Sequence, residues 1–170
     1  MTTDKPVAEL DQAYSSEGAT ATPWSEGRSR LEKAEIYWLS TVRPDGRPHV
    51  TPMVGVWVEG AMYFSTGPEE RKAKNLEHNG ACVITTGCND LSKGLDLVIE
   101  GEVSRVLDNS KLKRVADAYS AKYEAPFRFT VKDFAMEGEG GKALVFEVIP
   151  TKAFGYARGA KFSATRWRFR

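Results

Sequence analysis

The chain has 170 residues, which is enough for one domain with a buried core. Its 24 Lys and Arg residues nearly balance 23 Asp and Glu residues, and the resulting net charge of +1 excludes bulk electrostatic capture of nucleic acid or of an anionic membrane. No apolar run approaches the roughly 20 residues that span a bilayer, and no secretory signal pattern opens the chain. The two cysteines, Cys82 and Cys88, cannot form a disulfide framework, so we expect a cytoplasmic setting.

Composition divides the chain after residue 22. Residues 1–22 are rich in Thr, Ala, Ser and charge, which predicts a disordered or loosely docked N-terminal tail. Residues 23–170 are predicted to form a single domain. That domain should begin with a helix over Pro23–Ala34, because proline suits a first helical turn.

From Ile36 onwards the pattern changes to antiparallel strands. An extended segment over Ile36–Val42 meets a strong turn signal at Arg43–Gly46, where proline presets φ and glycine tolerates a positive φ. The next strand is predicted over Pro48–Val58 and should pair with Ala61–Thr66. Pro52 lies within it and has no N–H to donate, so we expect a bulge or a sheet edge there.

The rest of the chain adds strands and two more helices. Six or seven strands, joined by tight turns without a βαβ rhythm, predict a mainly β fold, a small antiparallel barrel with helices outside it. One of the helices should begin at Asp108 or Asn109 and bury an apolar stripe. The further predicted elements are a helix over Glu69–Glu77, strands over Ala81–Thr86, Leu95–Val106, Ala143–Ile149 and Thr151–Tyr156, and a stripe of Leu112, Val115, Ala116, Tyr119 and Tyr123.

The first candidate site lies where a strand ends and a helix begins. Ser65 and Thr66 supply hydroxyls, and Arg71 and Lys72 supply cations beside the unpaired N–H groups of a helix start. An oxyanion would gain from all of these, since arginine offers a planar fork and lysine a compact charge. The spacing equally permits a solvent-exposed helix face whose cations pair with nearby glutamates.

The second candidate site is the interrupted strand around Pro52. Backbone groups freed by a bulge at Thr51–Val54 could bind the edge of a flat heterocycle, while Met53 and Val54 pack against its face. The alternative is a plain edge strand in which proline prevents aggregation.

The third candidate is the C-terminal sequence TRWRFR. Its alternating cations and aromatic rings, with Arg166 and Trp167 at the centre, could neutralise and stack on an anionic ring. They could equally pair a terminal strand with a partner subunit. Binding of nucleic acid through this segment is disfavoured by the balanced charge of the chain.

No metal site or familiar catalytic motif is present in the sequence. The histidines and cysteines lack the spacing of metal ligands, and no dinucleotide, P-loop or hydrolase signature occurs. No paired general acid and base stands out either. If the protein is an enzyme, a cofactor should therefore supply the chemistry.

Four motifs in order give the chain a family resemblance. Over about residues 24–170 it resembles the pyridoxamine 5′-phosphate oxidase-like superfamily, the flavin-binding split barrels that include actinobacterial flavin and deazaflavin oxidoreductases. The resemblance implies a split β-barrel, a homodimer with cofactors at the subunit interface, and hydride transfer. The motifs are LSTVRPDGRPHVTPMVGVW (Leu39–Trp57), MYFSTGPEERKAKNL (Met62–Leu76), LVIEGEV (Leu97–Val103) and TRWRF (Thr165–Phe169).

The resemblance also assigns roles to the candidate residues. It implies that an Arg-Lys pair and strand-end hydroxyls hold the cofactor phosphate, that the ring rests on the second strand, and that C-terminal residues cover it. The implied phosphate residues are Ser65, Thr66, Arg71 and Lys72, the ring residues are Thr51, Pro52, Met53 and Val54, and the covering residues are Arg166 and Trp167.

The chain departs from true pyridoxamine phosphate oxidases at Thr51, where those enzymes carry a basic residue, and in a shorter C-terminal segment. We therefore expect an FMN-dependent oxidoreductase with another small-molecule substrate, with coenzyme F420 as the alternative cofactor. A non-catalytic protein that binds flavin, haem or fatty acid remains the other alternative, and the sequence identifies no proton donor.

Overall fold

A computed structural model describes residues 6–169. These residues form a mainly antiparallel β structure with three α-helices, α1 (Trp24–Lys33), α2 (Arg71–His78) and α3 (Asn109–Lys122), and a short 3-10 helix at Gln12–Tyr14. The strands are β1 (Val7–Leu10), β2 (Tyr37–Val42), β3 (Pro48–Met53), β4 (Gly55–Val58), β5 (Ala61–Thr66), β6 (Ala81–Thr86), β7 (Gly94–Arg105), β8 (Thr130–Lys132), β9 (Ala135–Gly138), β10 (Gly141–Arg158) and β11 (Ser163–Arg168).

The longest strand, β10, organises the sheet. The strand order is β1-β11-β10-β7-β6-β2-β3, and β10 also pairs with β5 and with the β8–β9 hairpin. Every one of these pairs is antiparallel. The predicted fold class, a mainly β antiparallel barrel with flanking helices, is confirmed, but the described residues form eleven strands instead of the six or seven predicted.

A bulge at Pro150 separates the part of β10 that pairs with β5 from the part that pairs with β11. The sequence predicts two strands separated at Pro150, but the structure continues through that residue with a register shift between Pro150 and Lys152. Proline cannot donate to the ladder, so a bulge accommodates it. Gly101 lies opposite, where an added Cβ would collide with the carbonyl oxygen of Ile149. The bend is therefore encoded on both strands.

The strand predicted over Pro48–Val58 is two strands, and its predicted pairing is wrong for the first of them. β3 pairs with β2, whereas β4 pairs with β5, and the chain changes partner at Val54. β3 lies at the edge of the sheet. Pro52 therefore lies on an edge strand, the position where a missing N–H is tolerated.

The core has two parts. The first lies inside the barrel, and the second lies between α3, β4, β5 and the β8–β9 hairpin. The stripe predicted on α3 faces the second part, since Leu112, Val115 and Tyr119 are fully buried. The helix begins after Asp108, whose carboxylate accepts a hydrogen bond of 2.9 Å from the backbone N–H of Lys111.

The segment before α1 lies along β11. β1 pairs with it in a register that sets Val7 opposite Arg168. Two further backbone hydrogen bonds continue the contact, from Asp11 N–H to the Ala164 carbonyl at 2.8 Å and from Ser16 N–H to the Phe162 carbonyl at 2.9 Å. The predicted tail thus includes an added strand, and residues 1–5 of it lie outside the described residues.

Two side chains of α3, and that of Tyr123 directly after it, hold the break between β3 and β4. Tyr119 donates to the Val54 carbonyl at 3.2 Å, and Lys122 Nζ donates to the Gly55 carbonyl at 3.0 Å and to the Tyr37 hydroxyl at 2.7 Å. The Tyr123 hydroxyl also bonds Gly55. Burial lowers the pKa of Lys122 to about 8, against the opposing influence of Glu35 and Glu32.

We expect the Lys122→Met variant to reveal this amine in the pH dependence of stability. Between pH 8 and 10.5 the unfolded chain retains a proton on Lys122 that the folded chain has released, so the free energy of unfolding of the wild type should rise with pH relative to the variant. For a half-buried amine the difference should be on the order of 1 kcal/mol. Urea denaturation of both proteins across this range measures it, and a constant difference would contradict the assignment.

Candidate functional site

The β5–α2 connection forms a cationic corner, defined here by Thr66, Glu70, Arg71 and Lys72 together with Arg43 and His49. Glu70 is the residue that precedes α2, and its carboxylate accepts a hydrogen bond of 2.9 Å from the backbone N–H of Gly67. The same carboxylate is paired with Lys72. A backbone N–H and a buried ammonium thus already converge on an oxyanion.

The lysine of this pair is unusual in its burial. Lys72 is 8% exposed, whereas Arg71 beside it is exposed to solvent. Lysine is almost never buried without a partner. The side chain of that partner, Glu70, is 51% exposed. Burial works against ionisation of Glu70, but hydrogen bonds from Lys72 and Gly67 hold its pKa below the ordinary value. A permanently charged pair therefore marks the start of α2.

Two strands bring further residues to this corner that the sequence analysis missed. The β2–β3 register sets His49 opposite Thr41, and Arg43 follows on the same side of β2 as Thr41. Asn75 of α2 donates to the Thr41 hydroxyl at 2.9 Å, and His49 Nδ1 lies 3.5 Å from that hydroxyl. The i, i+3 spacing of Lys72 and Asn75 and the alternation along β2 are the sequence signals that could have predicted this grouping.

Charges around His49 show how closely the cations gather. The pKa of His49 lies below its ordinary value, first because of burial and then because of the positive charges of Arg43, Lys72 and Arg71. The spacing of the histidines along the sequence excludes a metal site but does not predict this position for His49. Four basic side chains from two strands and a helix therefore share one region.

Buried polar atoms without a hydrogen-bond partner occur at or beside the candidate site residues. Within residues 6–169, three buried side-chain polar atoms lack a hydrogen-bond partner, namely Arg43 Nε, Asn75 Oδ1 and Arg166 Nε. Leaving a buried polar group unsatisfied costs about 1–3 kcal/mol. Arg43 belongs to the cationic corner, and Asn75 lies on α2 three residues after Lys72. Arg166 is one of the residues predicted to cover the cofactor. Such positions are where a ligand atom would be most stabilising.

The predicted ring-binding residues point in different directions. Thr51 and Met53 face the same side as His49, since they lie opposite Leu39 and Tyr37 of β2. Met53 belongs to the first core, and Pro52 turns outward opposite Trp38. Val54 packs against the second core. Of these residues, only the half-buried Thr51 lies on the inward side of β3 without belonging to a core.

The strand-end hydroxyls also separate. Thr66 is buried near Glu70, and its hydroxyl donates to the Gly67 carbonyl at 3.4 Å. Ser65 faces the other way and meets Tyr119 of α3. The structure therefore brings Thr66, Arg71 and Lys72 together, and it places the Ser65 side chain in another environment.

Arg166 and Trp167 lie on opposite sides of β11. The Trp167 side chain is fully buried, and its Nε1 donates to the Thr22 carbonyl at 3.0 Å. Its ring fills the space above Gly155, where a Cβ would overlap it. The role predicted for Trp167 as a ligand cover therefore does not match its position, because its own chain encloses it.

Arg166 instead faces a pocket on the outer face of the sheet. The pocket has a volume of about 540 Å³, and four aromatic side chains are among the residues that line it. The outer face, defined as the side of the sheet away from the first core, carries one continuous row of side chains. Its order across the strands is Arg166, Phe154, Val98, Thr85, Trp38 and Pro52. The aromatic residues of the pocket are Tyr14, Phe154, Tyr156 and Phe162.

The described part of the chain has neither a candidate metal site nor a helix that could span a membrane. No group of three or more His, Cys, Asp or Glu side chains is arranged to hold a metal ion. Among the helices in these residues, none has the length and apolar character that crossing a bilayer requires.

An antiparallel barrel around a bent central strand, with cations at the start of an outer helix, defines a split-barrel protein. Residues 24–155 match the family model of pyridoxamine 5′-phosphate oxidase. The chain belongs to this family, and the predicted resemblance is confirmed. No curated protein gives a significant match.

Solved structures show the same fold with different ligands in their names. An FAD-binding protein from Mycobacterium smegmatis is 16% identical, with 88% of this chain and 100% of that chain covered and a TM-score of 0.58. A heme storage protein from Vibrio cholerae is 18% identical, with coverages of 82% and 93% and a TM-score of 0.58. An F420 reductase is 22% identical, with coverages of 74% and 94% and a TM-score of 0.50.

The two C-terminal residues should respond differently to truncation. Trp167→Ala should lower the free energy of unfolding by about 3–5 kcal/mol, because it empties a closed part of the core. Arg166→Ala should cause no comparable loss, because it removes a buried Nε that has no hydrogen-bond partner and therefore leaves no partner group unsatisfied. Urea denaturation of both variants measures the contrast. Equal losses would show that Arg166 is also a packing residue.

Proposed function

We propose that the protein is an FMN-binding oxidoreductase that works as a homodimer and transfers a hydride equivalent through a cofactor at the subunit interface. The observation that carries the proposal is the Glu70 carboxylate held between the Gly67 N–H and Lys72. This carboxylate stands in for an oxygen of a phosphate group. A phosphate carries more charge and more acceptor atoms, so it would compete for the same donors.

The donors of the cationic corner fit a phosphate monoester. Lys72 supplies a desolvated charge, and exposed Arg71 can add a bidentate contact from the next position. The N–H groups at the start of α2 have no partners within the helix and favour an anion. The corner thereby fixes one end of the ligand, and β3 with Thr51 and the backbone near Pro52 is the proposed support for its ring.

FMN, when bound, supplies the hydride chemistry through its ring. The protein's own residues bind and orient it. The three side chains from α3 and the residue after it that hold Val54 and Gly55 keep the end of β3 rigid, which fixes the proposed support. We assign no proton donor.

The outer face is the proposed dimer interface. Proteins of this family are typically dimers. The face exposes large apolar side chains, including Trp38, Val50 and Tyr156, and such contiguous patches mark interaction surfaces. The row that joins Pro52 to Arg166 is part of this face. The cofactor-covering role of Arg166 is therefore proposed to act across the interface.

Coenzyme F420 is the second cofactor candidate. Its phosphate group presents the same oxyanion chemistry to Arg71 and Lys72, and a protein of similar fold is named an F420 reductase. A non-catalytic binding role is the third possibility, because a protein of similar fold is named for heme storage. The aromatic pocket beside Arg166 is the feature that could accept such an apolar ring.

Flavin binding and turnover test the proposal together. The purified protein should quench FMN fluorescence on binding, and the bound FMN should be bleached by a nicotinamide donor and recover its absorbance with an added electron acceptor. Lys72→Met should weaken FMN binding by about 10- to 100-fold, because a charge-assisted contact of about 1.5–3 kcal/mol is lost. Riboflavin, which lacks the phosphate, should bind the variant and the wild type equally.

Lys74→Met is the matched control. Lys74 lies on the same helix but pairs with Glu69 at the surface, so its loss should leave FMN affinity nearly unchanged. Unaltered FMN affinity in Lys72→Met would overturn the site. Binding without reduction or reoxidation would favour a carrier, and binding of haem or F420 in place of FMN would reassign the ligand.

Glu70→Gln should tighten FMN binding by about 3- to 10-fold, because it removes a carboxylate that competes for Lys72 and repels the phosphate. Riboflavin affinity should not change. Glu69→Gln is the control, since Glu69 is an exposed acid whose partner is Lys74 rather than Lys72. Fluorescence titration measures both, and weaker FMN binding in Glu70→Gln would show that this carboxylate organises the site instead of competing with the ligand.

A further inference from the structure

The phosphate contacts proposed above leave part of the cationic corner unused. Arg43, His49 and Asn75 lie around Lys72 and are not among the proposed phosphate contacts, and the side-chain contacts of Asn75 and His49 go to Thr41. Arg43 Nε and Asn75 Oδ1 are buried without a partner, and Asn75 is fully enclosed. A second set of polar groups therefore lies directly behind the Arg-Lys pair.

Thr41 links these residues. Its hydroxyl accepts from Asn75 Nδ2 at 2.9 Å and lies 3.5 Å from His49 Nδ1. A hydroxyl can donate to the unprotonated nitrogen of a neutral imidazole, or it can accept from the N–H of an imidazolium. This position therefore accommodates His49 in either protonation state.

We propose that His49 and Arg43 are phosphate-binding residues, and that His49 takes up one proton when a phosphorylated ligand binds. The proposal rests on the function proposed above and extends its site. The proton comes from solvent and resides on the imidazole ring. No covalent bond of the ligand is made or broken.

The charges that face His49 explain the uptake. On β2 and its following turn the facing groups are Thr41 and Arg43, and on α2 they are Arg71, Lys72 and Asn75. The carboxylate of this corner, Glu70, is paired with Lys72. Burial and the three cations depress the pKa of His49, so the ring is neutral near pH 7 in the free protein.

A bound phosphate reverses this balance. It brings a charge of about −1.5 to −2 at neutral pH, which offsets the neighbouring cations. An opposite charge within about 4–6 Å raises the pKa of a histidine by about one to three units. His49 should then be protonated near pH 7 and add a further cation to the site. Affinity for phosphorylated ligands should consequently fall as the pH rises through this range.

The composition of the chain makes the test direct. The chain contains two histidines, so an NMR spectrum of the full protein should show two sets of imidazole proton signals. His78 is the internal control, because it lies at the far end of α2 and its Nδ1 is within 3.0 Å of the Lys74 carbonyl. The His49→Gln variant assigns the signals. Both histidines are titrated in the free protein, with inorganic phosphate, and with FMN.

The titration midpoint of His49 should rise by about one unit or more with either ligand, while that of His78 should move by less than about 0.2 units. Calorimetry at about pH 7 in buffers of different ionisation enthalpy should show proton uptake by the wild type that His49→Gln lacks. Arg43→Gln should weaken FMN binding by about tenfold and leave riboflavin binding unchanged.

The outcomes separate the two proposals. If FMN binds in a Lys72-dependent manner and the His49 midpoint stays fixed, the inference is overturned and the proposed function stands. If FMN does not bind but inorganic phosphate raises the His49 midpoint, the anion site stands and the flavin function fails. If neither ligand moves the midpoint and neither binds, both proposals are overturned.

Discussion

The structure depends on the hydrogen-bonded ladders of one bent strand. β10 pairs with β5, β7, β9 and β11, so both cores and the outer helix positions are arranged around it. At the bend, Pro150 of β10, which has no N–H, lies opposite Gly101 of β7. A Cβ at position 101 would meet the Ile149 carbonyl oxygen at 2.5 Å, so the close approach of the two strands there favours a glycine.

The cationic corner is the functional consequence of that arrangement. β5 delivers Thr66 to the start of α2, and β2 and β3 supply Thr41, Arg43 and His49 from the other side. Concentrating cations in this way costs electrostatic energy, which Glu70 offsets by pairing with Lys72 and Asp45 offsets in part by attracting Arg43. Because Asp45 is itself paired with Arg47, the corner retains more positive than negative charge.

Local patterns predicted much of the fold and the exposed half of the site. The stripe of α3, the limits of β5 and β6, and the Arg71–Lys72 pair could be predicted because helical spacing, turn residues and helix starts act over a few positions. The pairing of β3 could not be predicted, because the change of partner at Val54 depends on tyrosines and a lysine in or directly after α3 that lie more than 60 residues away. His49 was missed for the same reason, since only the β2–β3 register shows that it faces Thr41. The burial of Trp167 could not be predicted, because alternation along a strand does not reveal which side faces the core.

The prolines of β3 also bear on how copies of the protein can associate. Pro48 and Pro52 are four residues apart in β3, so both positions that lack an N–H face the same side of this edge strand. An incoming strand would find few donors there, and the opposite edge, β1, is only four residues long. Sheet extension from either end is therefore unfavourable. Growth into fibres by strand addition at these two edges is disfavoured in the same way.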